Sequence, residues 1–558
     1  MFSLSRKHFL VILSVIIVFL LFIQFRDGLQ GYSAPLPLEF SENSKVSGDH
    51  DLLSKEGSFG HDEEPESDDA RKFSENSKVD GHHDLLSEEG SSIGYEEATE
   101  SDNARPPIFN NDVEYLRLPP IPLEILDLLR KAHVSRIEDI IQNPVHGWEE
   151  WNVKQLKSLL RYWNEDIGRD GNLQQPKVIL SSYGYVPCAM SLCGTTGEVL
   201  WLESLMTVFQ NHNYFLLYHP FEDIGNAYKR YHDLVTHVWS TDEHVIWCLN
   251  DTVHCIESPE NPHGIPPWKL FTFTFWGSPE GWQNFMAPKE PWSFNPLGAE
   301  WNLVPYLMPD HHFYLGYHLK ECEESSTIAP SERKDQVIIL AKRSWYFHRY
   351  NFVKFSWWPE IIEKTRAAGI EIICLAEEEE GFPIPEGLVT LDPLDRQSYN
   401  KLLSTSKALL GIGHPKISPS PYASLCHGLP VIFPYHGNKG CSPHPSNMSD
   451  WCTFTGDHHQ HGPLAAALRE PYVYMADVDG TVDELVAKIL AAVDTPIEPL
   501  VQPEMTLEEV TRRVKDYFMI DWKEFAAQRM SERGWDRVVT QEFMYRWLAE
   551  HPLKPQIG

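Results

Sequence analysis

The stretch from Gly411 to Pro434, entered from the apolar run Ala408–Leu410, constrains this chain more than any other. It reads as strand, glycine turn (Gly411-Ile412-Gly413), proline-rich bend (Pro415, Pro419, Pro421), short helix and second strand closing on Pro434. A strand followed by a glycine turn and a helix belongs to a parallel α/β sheet, where ligands bind in the crevice beyond the carboxyl ends of the strands. Backbone N–H groups and a positive helix end then face the guest, and a diphosphate suits them. A sugar nucleotide is therefore the first candidate ligand, against the plainer possibility of an ordinary strand–helix junction.

Around this segment the chain alternates apolar strands with amphipathic helices. Strands are expected at Lys177–Ser181, Tyr214–Tyr218, Val245–Leu249 and Leu270–Phe275. A second set is expected at Gln336–Leu340, Ile370–Leu375, Ala408–Gly413 and Leu429–Phe433. Helices are expected near 198–210, 358–368, 395–406 and 419–427, with late helices at 481–492, 506–518, 522–529 and 538–550. Two successive α/β sets imply an α/β protein of two Rossmann-like domains facing a cleft, 107–330 and 331–534, meeting in the polar stretch Glu323–Asp335. Residues 535–558 form a last helix and tail.

The first hundred residues set topology. Phe9–Phe25 is apolar except for Ser14 and Gln24, with Arg6, Lys7 and His8 before it. At 1.5 Å per residue it spans about 26 Å, enough for a thin bilayer. The basic flank keeps residues 1–8 in the cytosol and sends the rest to the lumen, as a signal anchor does, and no small-x-small cleavage site follows Phe25 closely. Residues 26–106 read as a disordered acidic stem. Phe40-Ser-Glu-Asn-Ser-Lys-Val46 recurs as Phe73-Ser-Glu-Asn-Ser-Lys-Val79, and residues 40–105 hold 19 acidic against 6 basic side chains. So acidic and poorly apolar a repeat cannot bury a core. The net charge of −33 gives nucleic acid no basic surface to meet.

All nine cysteines lie beyond Phe25, in a compartment that permits disulfides. Cys188/Cys193 and Cys248/Cys255 are close enough for local bridges, and Cys374 lies in an apolar strand as a buried thiol. Asn250-Asp251-Thr252 and Asn447-Met448-Ser449 are glycosylation acceptors if lumenal.

Gly197-Glu198, Trp276-Gly-Ser-Pro-Glu280 through Pro309-Asp310 and Phe313–Tyr317, Leu340-Ala-Lys342, Gly411–Pro434, and Glu470–Tyr474 through Ile497-Glu-Pro499 occur in a shared order over roughly residues 177–518. In that order they resemble glycosyltransferase family 18, the α-1,6-mannosylglycoprotein 6-β-N-acetylglucosaminyltransferases. The resemblance implies a B-type glycosyltransferase fold in a type II Golgi membrane protein. The implied reaction moves N-acetylglucosamine from UDP-GlcNAc, without a metal, to the 6-OH of an α-linked mannose on an N-glycoprotein. Inversion at the anomeric carbon needs one general base. The resemblance assigns that role to Glu198, sugar stacking to Trp276, and donor contacts to Lys342, Gly411, Gly413, Ser418, Pro419 and Ser420. From the residues alone, Glu198 also fits a carboxylate complementing a helix dipole, and Trp276 a core aromatic. The family carries glutamates where this chain has Ile417 and Ala423, the second of which takes the ribose hydroxyls, and Lys439 is near but unaligned with the family's donor lysine. A glycan-binding protein on the same fold, or a transferase using another nucleotide sugar such as a GDP-sugar, is therefore the alternative.

Three other constellations read as structural. Asp477-Val-Asp479 resembles a metal-binding Asp-x-Asp but lies past the expected donor strands, with Asp479 or Thr481 as a helix cap. His458-His-Gln-His461 reads as a solvated loop, and Glu377–Glu380 as a solvated turn.

Overall fold

The computed structural model describes residues 115–143, 149–165, 175–191, 196–277, 295–308, 311–324, 328–349, 351–440, 442–443 and 458–532. The expected membrane span, stem, Asn447 and final helix lie outside these residues. Among the described residues, no helix is long and apolar enough to cross a membrane.

Two six-stranded sheets, wholly parallel and within one compact unit, form the frame. The first contains β1 (Lys177–Ser181), β2 (Tyr214–Tyr218), β3 (His237–Ser240), β4 (Leu270–Phe273), β5 (Asn302–Val304) and β6 (Phe313–Tyr314), ordered 2-1-3-4-5-6. The second contains β7 (Gln336–Ile339), β8 (Glu371–Cys374), β9 (Val389–Thr390), β10 (Ala408–Leu410), β11 (Val431–Tyr435) and β12 (Val473–Asp477), ordered 12-11-10-7-8-9. Every residue of β1, β3, β4, β7 and β10 is buried, as parallel strands covered on both faces require. Each order reverses once, between β1 and β3 and between β7 and β10. Those are the crevices where parallel sheets receive ligands.

One expected strand is a helix. Val245–Leu249 lies inside the helix Asp242–Asn250, because Thr241 caps it by accepting from the His244 amide at 3.4 Å and Asp242 and Glu243 occupy its first turn. The true third strand is the preceding His237–Ser240. An apolar run of five cannot by itself tell a buried strand from one buried helix face. Asp477, expected to lie past the donor strands, instead ends the edge strand Val473–Asp477 beside β11.

The last described helices, Leu507–Met519 and Trp522–Glu532, pack on the first sheet. Trp239 Nε1 donates to the Tyr517 hydroxyl at 3.0 Å, and the buried Arg513 donates from Nε to the Leu315 carbonyl at 3.0 Å. Trp522 meets Phe271 edge-on at 4.8 Å, and Phe525 stacks on Trp301 at 5.3 Å. Helix Gly197–Asn211 of the first half is tied to helix Arg396–Thr405 of the second by Glu203, whose carboxylate accepts two bonds from Arg396 at 2.8 and 3.2 Å.

Cys248–Cys255 is bridged and Cys374 is a buried free thiol, pushed up to about 11 by burial. Cys188 is disulfide-bonded; Cys193 lies outside the described residues. A bridge without a sequence cue joins Cys322, in helix Lys320–Glu324, to Cys426 at the end of helix Ser420–Cys426. It closes a separation of 104 residues around β7 to β10. Replacing both cysteines by alanine is expected to cost about 2–5 kcal/mol of stability, read as a lower thermal midpoint under non-reducing conditions.

Candidate functional site

Both crevices open at carboxyl ends of strands. Beyond β1, Ser182 donates its amide to the Trp239 carbonyl at 3.0 Å and its hydroxyl touches that of Ser240, which locks the ends of β1 and β3 together. The chain then passes Tyr183 and Tyr185 to helix Gly197–Asn211, where Thr196 is the cap, accepting from the Val199 amide at 3.4 Å. Glu198 therefore stands in the first turn, half-buried. A methyl group on Gly197 would lie 2.6 Å from the Phe275 ring and 3.0 Å from the Pro419 ring. Only glycine lets this helix start lodge against the second domain's loop.

The surroundings of Glu198 are legible in its electrostatic effects. Burial, and then the Glu198 charge, push the Tyr185 hydroxyl up to about 12 and that of Tyr183 well above its usual range. Tyr306, fully buried, also feels that charge, after the larger effects of burial and Tyr422. Lys342, just past β7, has its pKa lowered by desolvation while Glu198 pulls it back up. Yet Lys342 keeps solvent contact. The effect of Glu198 on Lys342 puts the carboxylate and the cation within electrostatic reach of one another. Neighbouring Arg343 is paired with Glu379 at 3.1 Å, so the Glu377–Glu380 turn is solvated except for this half-buried carboxylate. Trp276, shortly after β4, donates its amide to the Thr274 hydroxyl at 3.3 Å and meets Phe275 edge-on at 5.4 Å. It is 43% exposed, so the core-aromatic alternative does not hold.

The glycine loop is built differently from expectation. The Gly411 amide donates to the Ile432 carbonyl at 2.8 Å and the Gly413 amide to Gln460 Oε1 at 2.9 Å. The Ser420 amide donates to Ser418 Oγ at 3.3 Å and the Tyr422 amide to the Pro419 carbonyl at 3.0 Å. The amides expected to cradle a diphosphate are thus engaged within the fold. Glycine is needed for close approach instead: a Cβ on Gly411 would sit 2.1 Å from Gln460 Oε1, and Gly413, at φ +111°, would bring one within 2.6 Å of the Phe352 nitrogen. Ser418 and Pro419 are buried and Ser420 half-buried, whereas the nearby cations Lys342 and Lys416 are exposed and half-buried. Ile417 and Ala423, each 4% exposed, join the apolar core, and no carboxylate replaces them at those positions.

Residues 458–461 are the main feature missed in sequence. The expected solvated loop is wrong: His459, Gln460 and His461 are fully buried against the glycine loop. Four polar residues in a row looked like a surface segment, and only pairing with distant loop carbonyls makes their burial tolerable. Asp477 accepts from the Gly437 and Asp479 amides at 3.1 and 3.0 Å, and Asp479 from His436 Nδ1 and the Asn438 amide at 3.0 and 3.1 Å. These carboxylates shape the turn after β11; Thr481 is the helix cap, in a reciprocal capping box with Glu484. Among the described residues, no group of three or more His, Cys, Asp or Glu is placed to hold a metal ion. Asn250 is exposed at the end of its helix.

No protein-family model matches the chain, and no curated protein does. Among solved structures it is similar to a UDP-GlcNAc 2-epimerase from Methanocaldococcus jannaschii in complex with UDP-GlcNAc and UDP, at 10% identity over 62% of this chain and 100% of that one, TM-score 0.32. It is also similar to an O-GlcNAc transferase variant from Thermobaculum terrenum, at 12% identity over 76% and 80%, TM-score 0.28. A third is the glycosyltransferase SnogD from Streptomyces nogalater, at 11% identity over 64% and 99%, TM-score 0.27. At such scores the fold rests on the sheet topology described above.

Burial depresses three histidines of this region, His414, His427 and His461, to about 4. Each is neutral in the fold but charged in the unfolded chain below about 6.5, so the unfolded state binds more protons in between and stability falls with pH. Thermal midpoints are expected to drop from pH 6.5 towards pH 4, with a shallower slope in His427→Asn, which removes one such group. An equal slope in that variant would contradict this assignment.

Proposed function

We propose that this chain is an inverting glycosyltransferase whose second domain holds a nucleotide sugar and whose first presents the base. What supports the reading is Glu198, in the first turn of a helix whose Gly197 lodges against Pro419 of the second domain, with its charge felt by Lys342 just past β7. A carboxylate within electrostatic reach of a cation suits a displacement in which one group gains a proton and the other meets a departing anion. The acceptor hydroxyl attacks the anomeric carbon, its proton passes to Glu198, and the bond from that carbon to the phosphate oxygen breaks. Lys342 and Lys416 then offset the charge of the departing diphosphate. Exposed Trp276 offers a ring for the apolar face of a sugar.

The resemblance to family 18 makes the finer proposal UDP-GlcNAc as donor, the 6-OH of an α-linked mannose on N-glycoproteins as acceptor, no metal requirement, and a Golgi membrane anchor at Phe9–Phe25 with Asn250 and Asn447 glycosylated. Buried Ile417 and Ala423 favour a second reading, a glycan-binding protein or a user of another nucleotide sugar, because no carboxylate stands there to take ribose hydroxyls. Binding of UDP-GlcNAc against GDP-sugars, followed by turnover on N-glycan acceptors with and without EDTA, separates them. Binding of glycan with no turnover of any donor supports the second.

Glu198→Gln keeps size but cannot take the proton, so turnover is expected to fall by about 10²–10⁴ with UDP binding unchanged. A helix-dipole role alone is worth only about 0.3–1 kcal/mol of stability and would leave kinetics intact. Near-normal turnover in the variant would remove Glu198 from the mechanism.

A further inference from the structure

The loop from Gly413 to Ser418 contains Pro415 and runs through buried surroundings, so its backbone polar groups need partners it cannot supply itself. Two residues supply four of them. Gln460 accepts from the Gly413 amide at 2.9 Å through Oε1 and donates to the Pro415 carbonyl at 2.9 Å through Nε2. His461 donates from its amide to the Lys416 carbonyl at 2.7 Å, and its Nε2 donates to the Ser418 carbonyl at 2.7 Å.

These residues are themselves fixed to the sheet. The Gln460 amide donates to the Pro434 carbonyl at 3.3 Å, and the His436 amide to the His458 carbonyl at 2.9 Å. His459 stacks on Tyr435 at 5.5 Å and His461 on Phe433 at 5.4 Å, both rings belonging to β11. His461 takes a left-handed backbone at φ 57°, which turns its amide and its ring to the same loop. Such a conformation in a residue other than glycine is held only where its surroundings compel it. The other edge of the His461 ring meets Tyr422 at 5.2 Å and Tyr306 at 5.7 Å, and Tyr306 is one of the hydroxyls within the field of Glu198.

We propose that Gln460 and His461 are positioning residues: a strap that holds the Gly413–Ser418 loop, and with it Lys416, in the conformation that receives the donor's diphosphate. The strap controls donor affinity and leaves the chemical step to Glu198. This deepens the donor-side reading given above and rests on it. The requirement at position 460 is chemically narrow, since one side chain must accept from Gly413 and donate to Pro415. Glutamate keeps the first bond and loses the second; methionine loses both at similar volume. At position 461 the ring must be neutral and protonated on Nε2, and its burial supports that state.

The test uses the full chain and the variants Gln460→Met and Gln460→Glu, with two readouts. Hydrogen exchange of the 411–418 segment reports the loop without any ligand. Calorimetric binding of UDP, with KM and kcat for UDP-GlcNAc, reports its consequence. Gln460→Met is expected to speed exchange of the segment tenfold or more and to weaken UDP binding about tenfold, with kcat at saturating donor changed less than threefold. Gln460→Glu, the milder change should methionine fail to fold, is expected to fall between that variant and the native chain. A folded variant with unchanged exchange and unchanged UDP affinity overturns the proposal, as does a fall in kcat at unchanged affinity. A native chain that binds no UDP or GDP nucleotide overturns the donor reading itself, which is separable because exchange of the segment still responds to the variants.

Discussion

The contact between Gly197 and Pro419 is the constraint around which the two halves are arranged. With 2.6 Å and 3.0 Å separating a would-be methyl from Phe275 and Pro419, the absence of a side chain decides how near the first helix of one domain comes to the loop of the other. That approach brings the helix turn that carries Glu198 up to the loop of Pro419. It also lets Tyr306 and Tyr317 of the first domain pack with Tyr422 of the second at 5.7 and 6.2 Å, so both domains share one apolar cluster. Glu203 with Arg396 and the Cys322–Cys426 bridge lie along the same seam. Nothing catalytic can be placed in such a cleft unless the seam beneath it is rigid, and here it is closed by packing, charge and covalent linkage at once.

The donor side follows a different pattern of hydrogen bonds from the familiar glycine-rich phosphate loop. A loop whose amides point outward binds an anion directly. Here the Gly411, Gly413, Ser420 and Tyr422 amides are consumed internally, and on the proposed donor reading recognition of negative charge falls to Lys342 and Lys416. A point charge on a flexible stem is less discriminating in geometry than an array of amides. The shape of the loop therefore matters more, because it fixes where the Lys416 stem begins.

Much of this arrangement is legible in the sequence where the pattern is local. Lys177–Ser181 and Tyr214–Tyr218 are apolar, β-rich and bounded by turn residues, and the expected strands match the observed ones end to end. Asp395 and Thr506 announce their helices because a capping side chain is a short-range device, accepting from amides at Ser398 and Glu509. Gly197 and Glu198 stand together at a helix start for the same reason. What is lost is long-range. His237–Ser240 is too short to show a period, and the burial of Gln460 and His461 depends on carbonyls more than forty residues away in the chain. Cys322 finds Cys426 only through the fold. Gly411 and Gly413 were visible as special, but whether a glycine makes room for a ligand or for Gln460 depends on what stands beside it.

The return of Leu507–Glu532 to the first sheet has a bearing on how the protein is made. Synthesis proceeds from the amino end, and domains generally fold as units as they emerge. The first sheet, complete in its strands once Tyr314 has been added, still lacks the Tyr517, Trp522 and Phe525 rings that cover Phe271 and Trp301. Those arrive about two hundred residues later, at the ribosomal rate of about 5–20 residues per second some ten to forty seconds on. Throughout that interval an aromatic surface of the amino-terminal half stands uncovered while the second sheet is being assembled. A chain ending before Leu507 would lack these rings over Phe271 and Trp301 altogether, so the late helices belong to the first domain's core although they are distant from it in sequence.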